Sequence, residues 1–124
     1  MECNGALFII DDVMANQIMQ QEESYTYYQV LHEERFYEHL LDMMEIRVES
    51  EYVDTLKQTV VLLSWQEIRN TLREGALDQM RWEKLFSVCQ DRESGQLLTQ
   101  TSFASIEEML KKAIEGRNYV MFYC

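Results

Sequence analysis

Five apolar residues follow one another from Ala6 to Ile10, and two aspartates come directly after them. A short apolar run of this kind predicts a buried strand. Asp11 and Asp12 suit a helix N-cap, where a carboxylate accepts a backbone N–H and interacts favourably with the helix dipole. The pattern therefore predicts a strand followed by a helix that ends near Gln21.

Apolar residues then recur about every four positions along two further segments. The first set is Leu31, Phe36, Leu40 and Met44, and the second is Val48, Tyr52, Leu56, Val60 and Leu63. This spacing predicts two amphipathic helices, the first from Ser24 to Glu45, although the tyrosines before Leu31 also favour a strand. The run Val60 to Leu63 is apolar on all sides, and we interpret it as the centre of the core.

The second half of the chain carries helix boundary signals. Ser64 and Glu67 form a predicted capping box that opens a helix towards Gly75, and a further helix contains Trp82. A loop is predicted from Asp91 to Gly95, followed by an extended stretch.

The last part of the chain repeats this pattern. Ser105 and Glu108 form a second predicted capping box, for a helix that ends at Gly116. Residues Tyr119 to Tyr123 then predict a final strand.

These elements predict a mainly α fold, with α+β as the alternative. Residues 1–124 would form a single globular domain of about five helices with short terminal β-strands. A two-stranded ribbon is marginal by itself, so the terminal strands are expected to pair with each other on the helices or across a dimer.

Charge divides the chain into two unequal halves. The first 56 residues hold 13 Asp and Glu against Arg35 and Arg47, so they carry the whole formal net charge of −11, and the remainder is neutral. An acidic chain is repelled by nucleic acid and by anionic lipid. We therefore expect no direct nucleic-acid binding and no membrane binding.

Tyrosines are concentrated in the same acidic half. Carboxylates pair with lysine and arginine, and tyrosine rings give stacking and cation–π contacts at low entropic cost. The predicted partner-binding residues are Tyr25, Tyr27, Tyr28, Glu33, Glu34, Tyr37, Glu38 and Asp42. The sequence thus predicts a non-enzymatic regulatory protein, expected to be a homodimer, that binds a protein partner with a basic surface.

An alternative gives the acidic residues a different role. Carboxylates spaced like duplex phosphates can occupy the groove of a DNA- or RNA-binding protein, so the chain could act as a nucleic-acid mimic of viral or mobile-element type. Competition with nucleic acid for a common target distinguishes the two hypotheses.

Metal and catalytic motifs are weak. His32 and His39 lie in the run HEERFYEH, but a helix would separate them by two turns, and neither zinc-protease nor di-iron spacing is present. No serine or cysteine has a histidine at a recognisable catalytic spacing. We expect no catalytic residue, no metal and no cofactor.

Residues Leu72 to Phe86, LREGALDQMRWEKLF, resemble the segment of Bcl-2-like proteins in which a glycine precedes a tryptophan at the start of the central helix. In this chain Gly75 stands seven residues before Trp82, and no Asn-Trp-Gly-Arg follows. The resemblance implies a reduced Bcl-2-like domain that binds an amphipathic helix in a groove.

Location is predicted from what the sequence lacks. No segment approaches the roughly 18 apolar residues that cross a bilayer, and Met1 to Ile10 lacks the basic start of a secretory signal. Three widely spaced cysteines are expected to be reduced thiols. The prediction is an intracellular protein of the cytoplasm, with the nucleus as the alternative.

Overall fold

The computed structural model describes residues 2–20, 36–49, 60–86, 98–99 and 101–123. The elements are β1 (Glu2–Ile10), α1 (Asp12–Met19), a 3₁₀ turn (Phe36–Glu38), β2 (Leu40–Glu49), β3 (Val60–Leu63), α2 (Trp65–Leu72), α3 (Gln79–Phe86), β4 (Leu98–Thr99), α4 (Phe103–Gly116) and β5 (Tyr119–Tyr123). The strands form one antiparallel sheet in the order β3-β5-β1-β2-β4. The fold is α+β, and the prediction of a mainly α domain is wrong.

Strand β1 lies in the middle of the sheet and is buried on both faces. Leu7 and Ile9 point to one face, whereas Phe8 and Ile10 point to the other, and all four are at most 3% exposed. The predicted strand at Ala6 to Ile10 is confirmed. Its unbroken apolar run follows from the double burial, since a strand with one wet face would alternate apolar and polar residues.

The large core lies between the sheet and the helices α2, α3 and α4. It consists of Leu7, Ile9, Ile46, Val61, Leu63, Ile68, Leu77, Trp82, Leu85, Ile106, Met109, Leu110, Ala113, Val120 and Phe122. Trp82 is fully buried, and its ring meets the edge of Phe122 at a centroid distance of 5.5 Å. The three helices therefore cover this face of the sheet at β3, β5, β1 and β2.

The small core lies on the opposite face of the sheet, under α1 and the 3₁₀ turn. It consists of Phe8, Ile10, Met14, Ala15, Ile18, Phe36 and Met121. Helix α1 has only eight residues, so this face is covered over a smaller area than the other.

The terminal strands pair with each other within one chain. In their register Ala6 lies opposite Tyr123 and Ile10 lies opposite Tyr119. The predicted strand at Tyr119 to Tyr123 is confirmed, and pairing across a dimer is not needed to satisfy it.

The two long helices predicted in the first half are wrong wherever the structure describes them. Residues 40–49 and 60–63 are strands. The apolar spacing of four residues misled the prediction, because four is also a multiple of the strand period of two. The run Val60 to Leu63 does contribute Val61 and Leu63 to the large core, but it is an edge strand, and the centre of the sheet is β1.

Two of the predicted helix starts are confirmed. Asp11 caps α1 through a bond from the Met14 N–H, and Ser64 and Glu67 form a reciprocal capping box on α2. The capping box at Ser105 is wrong: the N-cap of α4 is Ser102, three residues earlier, and Phe103, the first residue of the helix, packs against the large core. The predicted loop at residues 91–95 lies outside the described residues.

The turn between α2 and α3 is held by Arg81. Its guanidinium bonds to the Asp78 carboxylate at 2.6 Å and to the Glu74 carbonyl oxygen at 2.9 Å. Gly75 has a φ of 152°, which favours glycine, and a Cβ there would lie 2.8 Å from Arg81 Nη2, so the Arg81 side chain would have to shift. Gly75 therefore marks the turn after the helix, as predicted, although α2 itself ends at Leu72.

The segment that resembles Bcl-2-like proteins forms the end of α2, this turn and α3. Both helices pack on a β-sheet, so the helical fold implied by the resemblance is wrong. Across the part of the chain that the structure describes, every helix is too short or too polar to cross a membrane.

Phe8 and Met43 lie opposite each other on β1 and β2, but Phe8 is 1% exposed and Met43 is 58% exposed. Replacing Phe8 by Ala should lower the free energy of unfolding by about 3–5 kcal/mol, because it opens a cavity in the small core. Met43→Ala should change it by less than about 0.5 kcal/mol. Urea unfolding measures both, and equal losses would contradict the assignment of the two faces.

Candidate interaction site

The site is built around an imidazole–carboxylate pair that joins β1 to β2. His39 Nδ1 lies 2.5 Å from Asp11 Oδ2, and the Asp11 backbone N–H donates to the His39 carbonyl oxygen at 3.2 Å. The other carboxylate oxygen of Asp11 accepts the Met14 N–H and caps α1. One side chain therefore holds the start of α1 and the start of β2 together.

An aromatic series leads from the small core to the surface. The rings of Phe8 and Phe36 meet edge to face at 5.9 Å, and the rings of Phe36 and Tyr37 do so at 5.5 Å. The His39 N–H donates to the Phe36 carbonyl oxygen, which closes the 3₁₀ turn. Tyr37, which is 70% exposed, is thus held at the surface by a fully buried neighbour.

Apolar side chains remain exposed along the adjoining part of β2. A bulge interrupts the register between Ile9 and Ile10, and Leu41 is the extra residue opposite it. Leu41 is 55% exposed and Met43 is 58% exposed. Glu38 and Glu45 are exposed beside them. We call Tyr37, Glu38, Leu41, Met43 and Glu45 the β2 surface.

Asp42 shields the outer edge of β2. Its Oδ1 accepts the Met43 backbone N–H at 2.8 Å, and its Oδ2 pairs with Lys112 Nζ of α4 at 3.3 Å. Further along the strand, the Arg47 N–H donates to Thr101 Oγ1 at 3.0 Å. Side chains therefore accept hydrogen bonds from backbone N–H groups that an added strand would need.

The predicted partner-binding residues are divided by the structure. Tyr37 and Glu38 lie on the β2 surface, whereas Asp42 points to the opposite face of the sheet, towards α4. The remaining five predicted residues, Tyr25, Tyr27, Tyr28, Glu33 and Glu34, lie outside the described residues. Leu41, Met43 and Glu45 belong to the site but were not predicted, because a helical interpretation hides the alternation of a strand.

The Asp11–His39 contact was also missed by sequence reasoning. Asp11 was predicted as an N-cap and His39 as one of two candidate metal ligands, but they are 28 positions apart. The signal in the sequence was that each residue adjoins an apolar run that enters the sheet: Asp11 follows one, and His39 precedes one.

The chemistry of this pair is limited by what surrounds it. A carboxylate on one imidazole nitrogen is the arrangement that orients a catalytic or metal-binding histidine. No cluster of three His, Cys, Asp or Glu that could hold a metal ion occurs in the described ranges. His32, the other candidate ligand, lies outside them. The contacts of Asp11 and His39 give the pair a positioning role between α1 and β2.

A cavity of about 330 Å³ lies away from this site, between α2 and α3. It is lined by Leu63, Glu67, Asn70, Thr71, Glu74, Lys84 and Leu85. Its polar groups are largely bonded to one another: Glu74 pairs with Lys84 at 3.1 Å, and the Thr71 hydroxyl donates to the Glu67 carbonyl oxygen.

Comparisons of the chain with protein-family models, with curated proteins and with solved structures give no match.

Asp11→Ala should lower the free energy of unfolding by about 1–3 kcal/mol, since it removes the N-cap acceptor and the His39 partner together. Asp11→Asn keeps a capping group and should cost less. A double-mutant cycle with His39→Ala, measured by urea unfolding, should give a coupling of about 1 kcal/mol. Asp12→Ala is the matched control, because exposed Asp12 contributes only to the helix dipole. A coupling near zero would rule out the positioning role.

Asp42→Ala should increase self-association, because it exposes the Met43 N–H and leaves Lys112 without its partner. Light scattering after size exclusion should show an apparent mass that rises with concentration. Asp42→Asn keeps an acceptor and should behave like the wild type, and Asp12→Ala controls for the lost charge. If Asp42→Ala and Asp12→Ala had the same mass at every concentration, the shielding of the edge would be disproved.

Proposed function

We propose that the chain is a non-enzymatic, intracellular regulatory protein that acts by binding another protein through the β2 surface. One observation supports this proposal above the others. Tyr37, Leu41 and Met43 each expose more than half of their surface within seven residues, and carboxylates flank them. Contiguous exposed apolar groups with a polar rim are typical of protein interaction sites.

The apolar part of the surface stands on an ordered backbone. Tyr37 is anchored on buried Phe36, and Met43 lies in a hydrogen-bonded pair of strands. Ordering the backbone in a complex therefore costs little conformational entropy. Tyrosine is enriched among residues that dominate binding energy, and methionine adapts its shape to a partner.

The charged part of the surface indicates the chemistry of the partner. Glu38 and Glu45 lie beside the apolar groups, and the first 56 residues contain only two basic residues, one of which, Arg47, is exposed further along the same face of β2. A partner segment that combines lysine or arginine with apolar residues is complementary to this arrangement. Long-range attraction would accelerate the encounter and weaken as salt is added.

The binding mode follows from Asp42. Because Asp42 occupies the Met43 N–H at the edge of β2, a partner meets the side chains on the face of the strand rather than adding a new strand. The predicted homodimer would need a different surface, since a two-fold contact of β2 surfaces brings Glu38 and Glu45 of one copy towards those of the other. Dimerisation remains a prediction.

Nucleic-acid mimicry, the alternative function, needs a row of carboxylates at phosphate spacing. Of the four acids among the predicted partner-binding residues, Glu33 and Glu34 lie outside the described residues, and Asp42 is paired with Lys112. No contact of the described residues favours mimicry over the binding of a basic protein segment.

A peptide display library selected on the full chain tests the proposed function. The recovered peptides should combine basic and apolar residues, and Tyr37→Ala with Met43→Ala should weaken their affinity by about tenfold or more, as expected for loss of interface anchors. Met80→Ala is the matched control, because Met80 is 64% exposed on α3, away from the β2 surface. Glu38→Gln with Glu45→Gln should reduce the association rate at low salt only.

Three results would contradict the proposal. The first is a set of peptides without basic residues. The second is equal binding by the wild type and the Tyr37→Ala, Met43→Ala variant. The third is an affinity that does not change between low salt and high salt. If domains that bind duplex DNA displaced the selected peptides from the chain, the result would instead favour nucleic-acid mimicry.

A further inference from the structure

Two arginines converge on one tryptophan at the opposite side of the sheet from β2. Leu63 at the end of β3 lies opposite Val120 at the start of β5. Helix α2 begins directly after β3, and α4 ends directly before β5, so Trp65 and Arg117 are brought together. Arg69 joins them one helical turn after Trp65.

The guanidinium groups of both arginines lie over the same indole ring. The Cζ atom of Arg69 lies 4.9 Å from the ring centroid of Trp65, and that of Arg117 lies 5.8 Å from it. Among the described residues neither arginine forms an ion pair with a carboxylate, although the chain has twice as many acidic as basic residues. The nearby Glu67 carboxylate is used by the Ser64 N–H. Two like charges therefore share one ring without a carboxylate partner in the part of the chain that the structure describes.

Two further features distinguish Arg69 and Arg117. The Nε atom of Arg69 is buried and has no hydrogen-bond acceptor in the described part of the chain, a property that it shares with the Nε atom of Arg81. Arg117 has a φ of 53°, in the left-handed region where a helix end usually has glycine. Arg117 therefore has a strained backbone conformation, and its side chain lies on Trp65.

We propose that Trp65, Arg69 and Arg117 form an oxyanion site that takes a phosphate group. A guanidinium stacked on an aromatic ring keeps its N–H groups free in the plane, so each arginine can still donate two hydrogen bonds. A single arginine satisfies a carboxylate in this way. Two arginines match a phosphate, which offers three acceptor oxygens and close to two negative charges. The natural ligand is thus a phosphomonoester or inorganic phosphate.

This site is independent of the β2 surface. It lies on α2 and at the C-terminal end of α4, whereas the β2 surface lies on β2 and the 3₁₀ turn. Failure of one proposal therefore leaves the other unaffected.

The test is a titration of the full chain with inorganic phosphate. Chloride keeps the ionic strength constant, and the ¹H–¹⁵N NMR signals of the indole groups report binding. The chain has two tryptophans, and fully buried Trp82 serves as the internal reference. The Trp65 signal should move and saturate, while the Trp82 signal stays in place. A phosphomonoester such as glycerol 3-phosphate, titrated in parallel, distinguishes an ester ligand from free phosphate by its affinity.

Variants separate recognition from structure. Arg69→Gln and Arg117→Gly should each weaken phosphate binding by about tenfold, the factor of one charge-assisted hydrogen bond. Arg117→Gly should melt at the same temperature as the wild type or above it, because glycine relieves the left-handed strain. Arg73→Gln is the matched control, since Arg73 is exposed at the end of α2. It should bind phosphate like the wild type.

The proposal fails if the Trp65 signal does not move in the wild type, or if chloride alone moves it equally. It also fails if Arg73→Gln weakens binding as much as Arg69→Gln does, or if Arg117→Gly binds unchanged. Saturation by acetate at the same concentration as phosphate would overturn the choice of phosphate.

Discussion

The burial of β1 on both faces is the constraint on which the rest of the structure depends. Its backbone is hydrogen-bonded to β2 on one side and to β5 on the other. Its side chains from Leu7 to Ile10 contact two separate cores. A strand with no solvent-exposed face needs helices packed on both faces of the sheet. Helices α2, α3 and α4 provide one layer, and α1 with the 3₁₀ turn provides the other.

Because the two helical layers differ in size, some apolar residues on one face of the sheet remain exposed. One face of the sheet is covered at β3, β5, β1 and β2, but α1 is short and covers β1 rather than β2. Met43, Glu45 and Arg47 therefore remain exposed on the same side of β2 that faces the small core. The bond between Asp11 and His39 fixes the geometry at this point. It joins the end of β1 to the start of β2 and sets Tyr37 beside the strand.

This arrangement determines where the described acidic residues lie in the fold. Within the described residues, Glu38, Asp42 and Glu45 lie on or next to β2, and the arginine pair on Trp65 lies at the β3 side of the sheet. Strands β5 and β1 separate the two regions by a distance on the order of 10 Å. A molecule with a net charge of −11 thus has one acidic apolar surface and one cationic cluster, which suit different classes of ligand.

The sequence by itself determined the elements whose signals are local. The apolar run of β1, the Asp11 cap, the capping box at Ser64 and the final strand were all predicted, because each depends on neighbouring residues alone. Only the tertiary structure decided that β2 and β3 are strands, since a spacing of four residues fits both a helix and a strand until a neighbouring strand supplies hydrogen bonds. It alone also decided the Asp11–His39 pair and the meeting of Arg69 and Arg117 on Trp65. These contacts join positions brought together by the order of strands in the sheet, which no local pattern encodes.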